Sequence, residues 1–218
     1  MLVAAMRQQL RRSAGKPLLT HYDGASRVEL SYATFANWVD KTCNLLDTLL
    51  VEPGDPVDLR LLDSNPGHWV TLVWLLACWQ YGCPVKQENR PAALWVGGPE
   101  IAAAETPGVA CSLDPLGRGL AGSAPPGCID YVEVLAEPDD YLAAPQPATE
   151  TAWGTLTHAD VAATLPRDNR ALFIDPTAGW PTTQQLIVSP LLGGGSSVIA
   201  TNCSATTLAQ LRRDERIS

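Results

Sequence analysis

The side chains in this sequence that could do chemistry are few, and their spacing narrows them further. There are three histidines, His21, His68 and His158, in well-separated segments. A histidine metal site would have to draw on all three, so the residues point to no metal centre, and capping or surface roles are expected. Ser31, Ser64, Ser123 and Ser189 could serve as nucleophiles in type, but none stands in a G-x-S-x-G elbow and no base is implied beside them. Asp139-Asp140 could hold a cation; following Pro138, the pair reads as a solvated turn. Gly193-Gly194-Gly195 invites a phosphate-loop reading. A phosphate loop runs strand, glycines, helix, whereas here the order is helix, glycines, strand, which is the order of a helix C-cap and tight turn. No catalytic, cofactor-binding or metal-ligating residue is therefore assigned, and no cofactor is expected.

The six cysteines, Cys43, Cys78, Cys83, Cys111, Cys128 and Cys203, form no C-x-x-C pair and no zinc spacing. Reduced, mostly buried thiols in a cytoplasmic protein are expected. Cysteine chemistry at Cys83 or Cys203 is the third-ranked alternative for function. Seven tryptophans are many for 218 residues. Trp38, Trp69, Trp74 and Trp79 fall on helical patterns and are assigned to the core; Trp153 and Trp180 are assigned to loops, where an exposed ring would be a ligand or partner contact. The formal net charge of −8 argues against a nucleic-acid partner, which would need a basic face. The longest apolar run, Trp69 to Cys83, falls short of the ~20 residues that cross a bilayer, so no membrane span is expected.

The elements that would position these residues alternate between strand and helix. A helix is read at 2–13, strands at 18–22 and 27–30 about the Asp23-Gly24 turn, and a helix from the Ser31 N-cap to about Leu50. A strand at 57–62 and a buried helix at 66–81, closed by Gly82 and Pro84, follow. The middle is less regular: strands at 93–96 and 109–113, a short helix at 99–105, a helical turn at 131–135, and a loop-rich region at about 114–150. The last quarter reads as helix 157–164 with Thr157 as N-cap, strand 171–175, helix 182–191, strand 196–201 and helix 204–213. Residues 1–218 are read as one domain with an α/β fold: a layered, mostly parallel sheet flanked by helices, with a small N-terminal hairpin region.

The order of several weak motifs resembles the N-terminal subdomain of the AMP-binding, acyl-adenylate-forming superfamily, which includes acyl-CoA synthetases. Residues 18–31 (Leu-Leu-Thr-His-Tyr-Asp-Gly through Leu-Ser) with Tyr32 and Phe35, then Val51-Glu-Pro-Gly-Asp-Pro-Val-Asp, then Asn65-Pro-Gly-His-Trp before the helix ending at Tyr81-Gly82, follow the family's order. Gly154-Thr-Leu-Thr-His158 and Ser189-Pro-Leu-Leu-Gly-Gly-Gly-Ser-Ser-Val-Ile199 continue it. The resemblance implies short actinobacterial proteins as relatives. It also implies a Ser/Thr/Gly-rich loop ending in Pro-Lys-Gly just before residue 154, holding ATP phosphates. Here that stretch is Ala144-Pro-Gln-Pro-Ala-Thr-Glu-Thr-Ala-Trp153, with no Gly, no Lys and the acidic Glu150. Neither Lys16, Lys41 nor Lys86 stands where the family's lysines would, and the family's adenine, magnesium, ribose and catalytic-lysine motifs would lie beyond residue 218. The expectation is a non-catalytic relative, a pseudoenzyme kept as a binding or interaction module. A homodimer or protein partner is expected to cover the surface that a second subdomain would occupy. The alternative is a residual nucleotide- or acyl-group-binding protein, or an enzyme completed by a partner chain.

Overall fold

A computed structural model describes residues 2–86, 91–101 and 107–217. The N-terminal helix α1 (Leu2–Ser13) buries Leu2 and Met6, four apart, and leads into a hairpin of β1 (Pro17–Asp23) and β2 (Ser26–Ser31). Helix α2 (Tyr32–Thr48) starts where Ser31 turns extended and its hydroxyl accepts the Thr34 N–H, and it buries Phe35, Val39, Leu45 and Leu46 in one stripe. Strand β3 (Val57–Leu59) is shorter than the expected 57–62. The chain leaves the sheet at Arg60 and turns into the short helix α3 (Leu61–Ser64), which buries both Leu61 and Leu62.

Helix α4 (Trp69–Tyr81) begins three residues later than the sequence pattern suggested, because His68 is its N-cap: the imidazole Nδ1 accepts the Val70 N–H. All thirteen residues of α4 are buried, Trp74 and Trp79 among them, so this helix is the centre of the core. Burial of each large side chain contributes ~1.5–3 kcal/mol. Asp40 on α2, itself buried, pins three helices: it pairs with Arg7 of α1 and accepts from Gln80 Nε2 of α4 at 2.6 Å.

Two four-stranded sheets replace the single sheet expected. The second sheet runs β3, β4 (Leu94–Gly97), β5 (Gly108–Ala110), β6 (Cys128–Asp130), all parallel. Strand β6 was not expected; its three residues alternate too briefly to be read against the Gly- and Pro-rich loop before it. A 3₁₀ turn at Tyr131–Ala136 follows where a helical turn was expected. A hairpin of β7 (Thr151–Trp153) and β8 (Leu156–Thr157) was likewise missed; Val85 bridges it to β3. The short helix expected at 99–105 falls largely on 102–106, outside the described residues.

The first sheet has the order β2-β1-β10-β9, with β9 (Arg170–Ile174) and β10 (Ser196–Thr201) parallel to β1. The N-terminal hairpin is thus half of a sheet rather than a separate region. Helix α5 (His158–Ala162) carries a full capping box between Thr157 and Asp160. A continuous helical segment joins β9 to β10: α6 (Trp180–Thr183), a π-turn at Gln184–Val188, and α7 (Ser189–Gly193). Its end explains the three glycines. Gly194 is the left-handed C-cap (φ 81°), as expected of a cap. A Cβ on Gly193 or Gly195 would lie 2.4 Å from the Arg167 carbonyl, so residue 167 crosses directly over the turn. Helix α8 (Ala205–Asp214) closes the chain over the outer face of this sheet, where Glu215 accepts from Tyr22, Arg27 and Arg170. Among the described residues no helix is long and apolar enough to cross a membrane.

Candidate functional site

Parallel strands end in a row, and the backbone beyond their carboxyl ends is where ligands bind in open α/β sheets. In the first sheet that row is formed by Asp23 at the end of β1, Asp175 after β9, and Thr201-Asn202 at the end of β10. The α3–α4 loop lies opposite, brought close by Gly67: a Cβ there would sit 2.4 Å from the Pro176 ring. Between them is a cavity of about 280 Å³ whose walls include His21, Asp23, His68, Asp175, Thr201 and Asn202.

Two of the three histidines therefore converge, although 47 residues apart in sequence. Their rings meet edge to face with centroids 4.9 Å apart. His68 donates from Nε2 to the Leu113 carbonyl (3.1 Å) and accepts at Nδ1, which fixes the neutral Nε2–H tautomer. Burial and the neighbouring His21 push its imidazole down to about 3. His21 is 2% exposed. Its Nε2 meets the Thr201 hydroxyl at 3.2 Å, and its Nδ1 has no partner among the described residues. Burial lowers it to about 4, with the Asp23 carboxylate opposing. Asn202 ties the two carboxylates together: its side-chain amide donates to Asp23 (2.8 Å) and its backbone N–H to Asp175 (3.2 Å).

Backbone strain gathers at the same place. Leu113, Asp175 and Asn202, all lining the cavity, have φ of 58°, 41° and 53°. Left-handed backbone at residues other than glycine costs of order 1 kcal/mol or more and clusters at functional sites. No group of three or more His, Cys, Asp or Glu side chains among the described residues is placed to hold a metal ion.

The other candidates fall into structural places. His158 begins α5, away from this cavity. Ser31 caps α2 and Ser189 is buried within the helical segment, whereas Ser64 lines the cavity with its hydroxyl donating to the Arg60 carbonyl at 3.4 Å. Asp139-Asp140 is exposed, and the Asn44 amide donates to the Pro138 and Asp140 carbonyls. Cys43, Cys78, Cys83 and Cys111 are buried, and burial raises each thiol, Cys83 to about 12. Cys203 is half-buried, and its thiol is raised too, chiefly by burial, which disfavours the thiolate. Trp153 and Trp180 are not exposed loop residues. Trp153 is buried in β7, its ring 5.5 Å from that of Trp180, which in turn faces Trp79 at 6.3 Å.

The segment ahead of residue 154 has a definite geometry. The Ala148 and Glu150 carbonyls accept the Ala159 and His158 N–H groups at 2.9 Å, and Asp160 N–H is taken by Thr157. The first donors of α5 are consumed by the protein, and a carboxylate, Asp160, sits among them. A phosphate cradle needs the reverse, with free N–H groups turned outward beside a cation.

The residues that line the cavity were missed in the sequence for want of topology, not of signal. Asp23-Gly24, Asp175-Pro176 and Thr201-Asn202 each end a strand that was read correctly. Only knowledge that β1, β10 and β9 lie side by side and parallel puts them in one place.

No protein-family model matches the chain. It is 33% identical over 152 residues to the TIGR03089 family protein of Mycobacterium tuberculosis, covering 64% of this chain and 60% of that one. Among solved structures, acetoacetyl-CoA synthetase from Streptomyces lividans superposes with a TM-score of 0.70 at 17% identity, covering 99% of this chain and 41% of that one. The fatty acyl CoA synthetase of Mycobacterium tuberculosis gives 0.69 at 16% identity, covering 99% and 48%. A benzoate CoA ligase from Burkholderia xenovorans LB400 gives 0.65 at 16% identity, covering 91% and 45%. The chain has the α/β fold of adenylate-forming ligases. It spans about three fifths of the curated relative and less than half of each of these solved chains.

Proposed function

We propose that this chain is a non-catalytic relative of the adenylate-forming ligases, a binding or protein-interaction module that does not itself adenylate an acid. The observation that carries the reading is the segment 144–153. Where the family resemblance calls for glycines and a lysine around ATP phosphates, this chain has prolines, alanines and an exposed Glu150, and the nearby helix start has spent its donors on the protein's own carbonyls. Phosphoryl and adenylyl transfer depend almost wholly on positioning and electrostatic stabilisation, so an acidic, donor-poor loop removes the means of holding the reactant.

The cavity at the carboxyl ends of β1, β9 and β10 supports a binding role. Its volume of about 280 Å³ falls just below the ~300–1,000 Å³ of small-ligand sites. A homodimer or protein partner along the outer edge of β9 is part of the same proposal: β9 is an edge strand, with Leu172 and Phe173 half-buried and Ile174 exposed. Isothermal titration of the full chain with Mg-ATP, AMP and acyl-CoA tests the reading. Flat titrations with all three are expected. A saturable heat with Mg-ATP would favour instead the reading in which nucleotide binding survives.

A further inference from the structure

Helix α8 is joined to the rest of the molecule by few contacts. Of Ala205–Asp214 only Leu211 is buried. It packs with Val198 and Ala200 of β10 in a small cluster separate from the main core, edged by Tyr22, Leu172, Leu208 and Ile217. Among the described residues, every hydrogen bond and ion pair that leaves the segment 204–217 ends on one side chain, Glu215. Its carboxylate accepts from Tyr22 Oη at 2.6 Å, from the Arg27 guanidinium at 3.0 Å and from Arg170 at 2.5 Å. Burial raises the Glu215 carboxyl, but the donors of Tyr22, Arg170 and Arg27 outweigh it and hold the group below its ordinary value.

The partners are arranged so that letting go of Glu215 strands none of them. Arg27 keeps Glu29 at 2.6 Å and Tyr22 at 2.9 Å. Arg170 keeps Thr20 at 2.7 Å and Ser196 at 3.0 Å. The freed carboxylate passes to water, so opening leaves no buried charge unpaired. Just upstream the chain is fixed. Asn202 donates to Asp23 and Asp175, and the Cys203 thiol to the Gly24 carbonyl at 3.6 Å. A pivot therefore lies between Cys203 and Ser204.

We propose that residues 204–217 form a strap that opens and closes as one unit on an otherwise folded sheet, with Glu215 as its latch. Opening bares the apolar strip of Val198, Ala200 and Leu172 on the outer face of the first sheet. The Arg27 and Arg170 side chains are 44% and 23% exposed, so dissolved salt reaches the latch and weakens it. Nothing in this strap depends on the loss of adenylation.

Native-state hydrogen exchange of the full chain, read amide by amide at neutral pH, tests it. The amides of 208–217 are expected to exchange at one common rate, faster than those of β10 and α4, and severalfold faster again in ~0.5 M NaCl. Glu215→Gln keeps the shape of the side chain and removes its charge. It is expected to speed exchange of 208–217 about tenfold while β1, β10 and α4 keep their protection. Arg27→Gln, which leaves Glu215 to Tyr22 and Arg170, should act on the same amides to a smaller extent. Exchange of 208–217 only together with α4 would overturn the proposal, because α8 would then open only when the whole chain unfolds. A gradient of rates rising toward residue 217 and unaltered in Glu215→Gln would overturn it too, as ordinary fraying of a helix end. So would a loss of protection spread evenly over the molecule in both variants.

Discussion

At the scale of single residues, the paired histidines carry the most consequence. Both are buried and neutral, and both have folded-state values below the ordinary 6.5. A depressed histidine favours folding fully above the unfolded value and loses that contribution as pH falls, because the unfolded chain then binds more protons. Stability is therefore expected to decline from about pH 6.5 toward pH 4, each unit of depression counting about 1.4 kcal/mol. Urea midpoints measured between pH 7 and pH 5 check this; the wild type falls, and His21→Gln falls less steeply, by about one proton. A flat profile in the wild type contradicts the buried, neutral pair. The thiols give a second residue-scale expectation. Iodoacetamide at neutral pH should label Cys43, Cys78, Cys83 and Cys111 only after unfolding, with Cys128 and Cys203 slow in the native chain; rapid labelling of Cys83 would restore cysteine chemistry as a reading. Residue types and spacing place Trp69, Trp74 and Trp79 in the core, where they lie, but they reveal neither the histidine pair nor the packing of Trp153 and Trp180. His21 and His68 meet only because two separate sheets place β1 beside the α3–α4 loop, and Trp153 is buried because Val85 recruits it to the second sheet.

At the scale of elements, local signals were reliable where one residue type does one job. The Ser31 and Thr157 caps, the Asp23-Gly24 turn and the Gly194 C-cap stand where sequence chemistry puts them. Short elements were not reliable: β6, β7 and β8 have two or three residues each, too few for periodicity to register. Two contacts between elements invite mutation. Asp40 is 5% exposed at its side chain and ties α1 to α2 and α4 through Arg7 and Gln80. Asp40→Ala is expected to destabilise by about 3 kcal/mol, since it strands Arg7 and Gln80. Arg7→Met, which leaves the carboxylate on Gln80 alone, should cost a similar amount; a loss below ~0.5 kcal/mol in both would show the cluster to be idle. At the turn into β10, Gly195→Ala drives a methyl group into the Arg167 and Asn169 carbonyls. It should destabilise by more than the ~1 kcal/mol of an ordinary glycine change, readable as a lowered thermal midpoint.

At the scale of the whole molecule, the α/β class and the likeness to adenylate-forming ligases were legible in the sequence, because the order of weak motifs constrains topology even when each motif alone does not. The division into two sheets was not. It depends on β1 pairing with β10, some 180 residues away, which no local pattern encodes. At the carboxyl ends of β1, β9 and β10 the fold forms a cavity with acidic walls. At segment 144–153, Ala148 and Glu150 give their carbonyls to α5 and Glu150 adds a negative charge, which supports the proposed loss of ATP-phosphate binding. The direct test of this account is ATP–pyrophosphate exchange by the purified chain with a panel of carboxylic acids and magnesium. Exchange indistinguishable from the protein-free blank for every acid is the expected result; robust, acid-dependent exchange would contradict it.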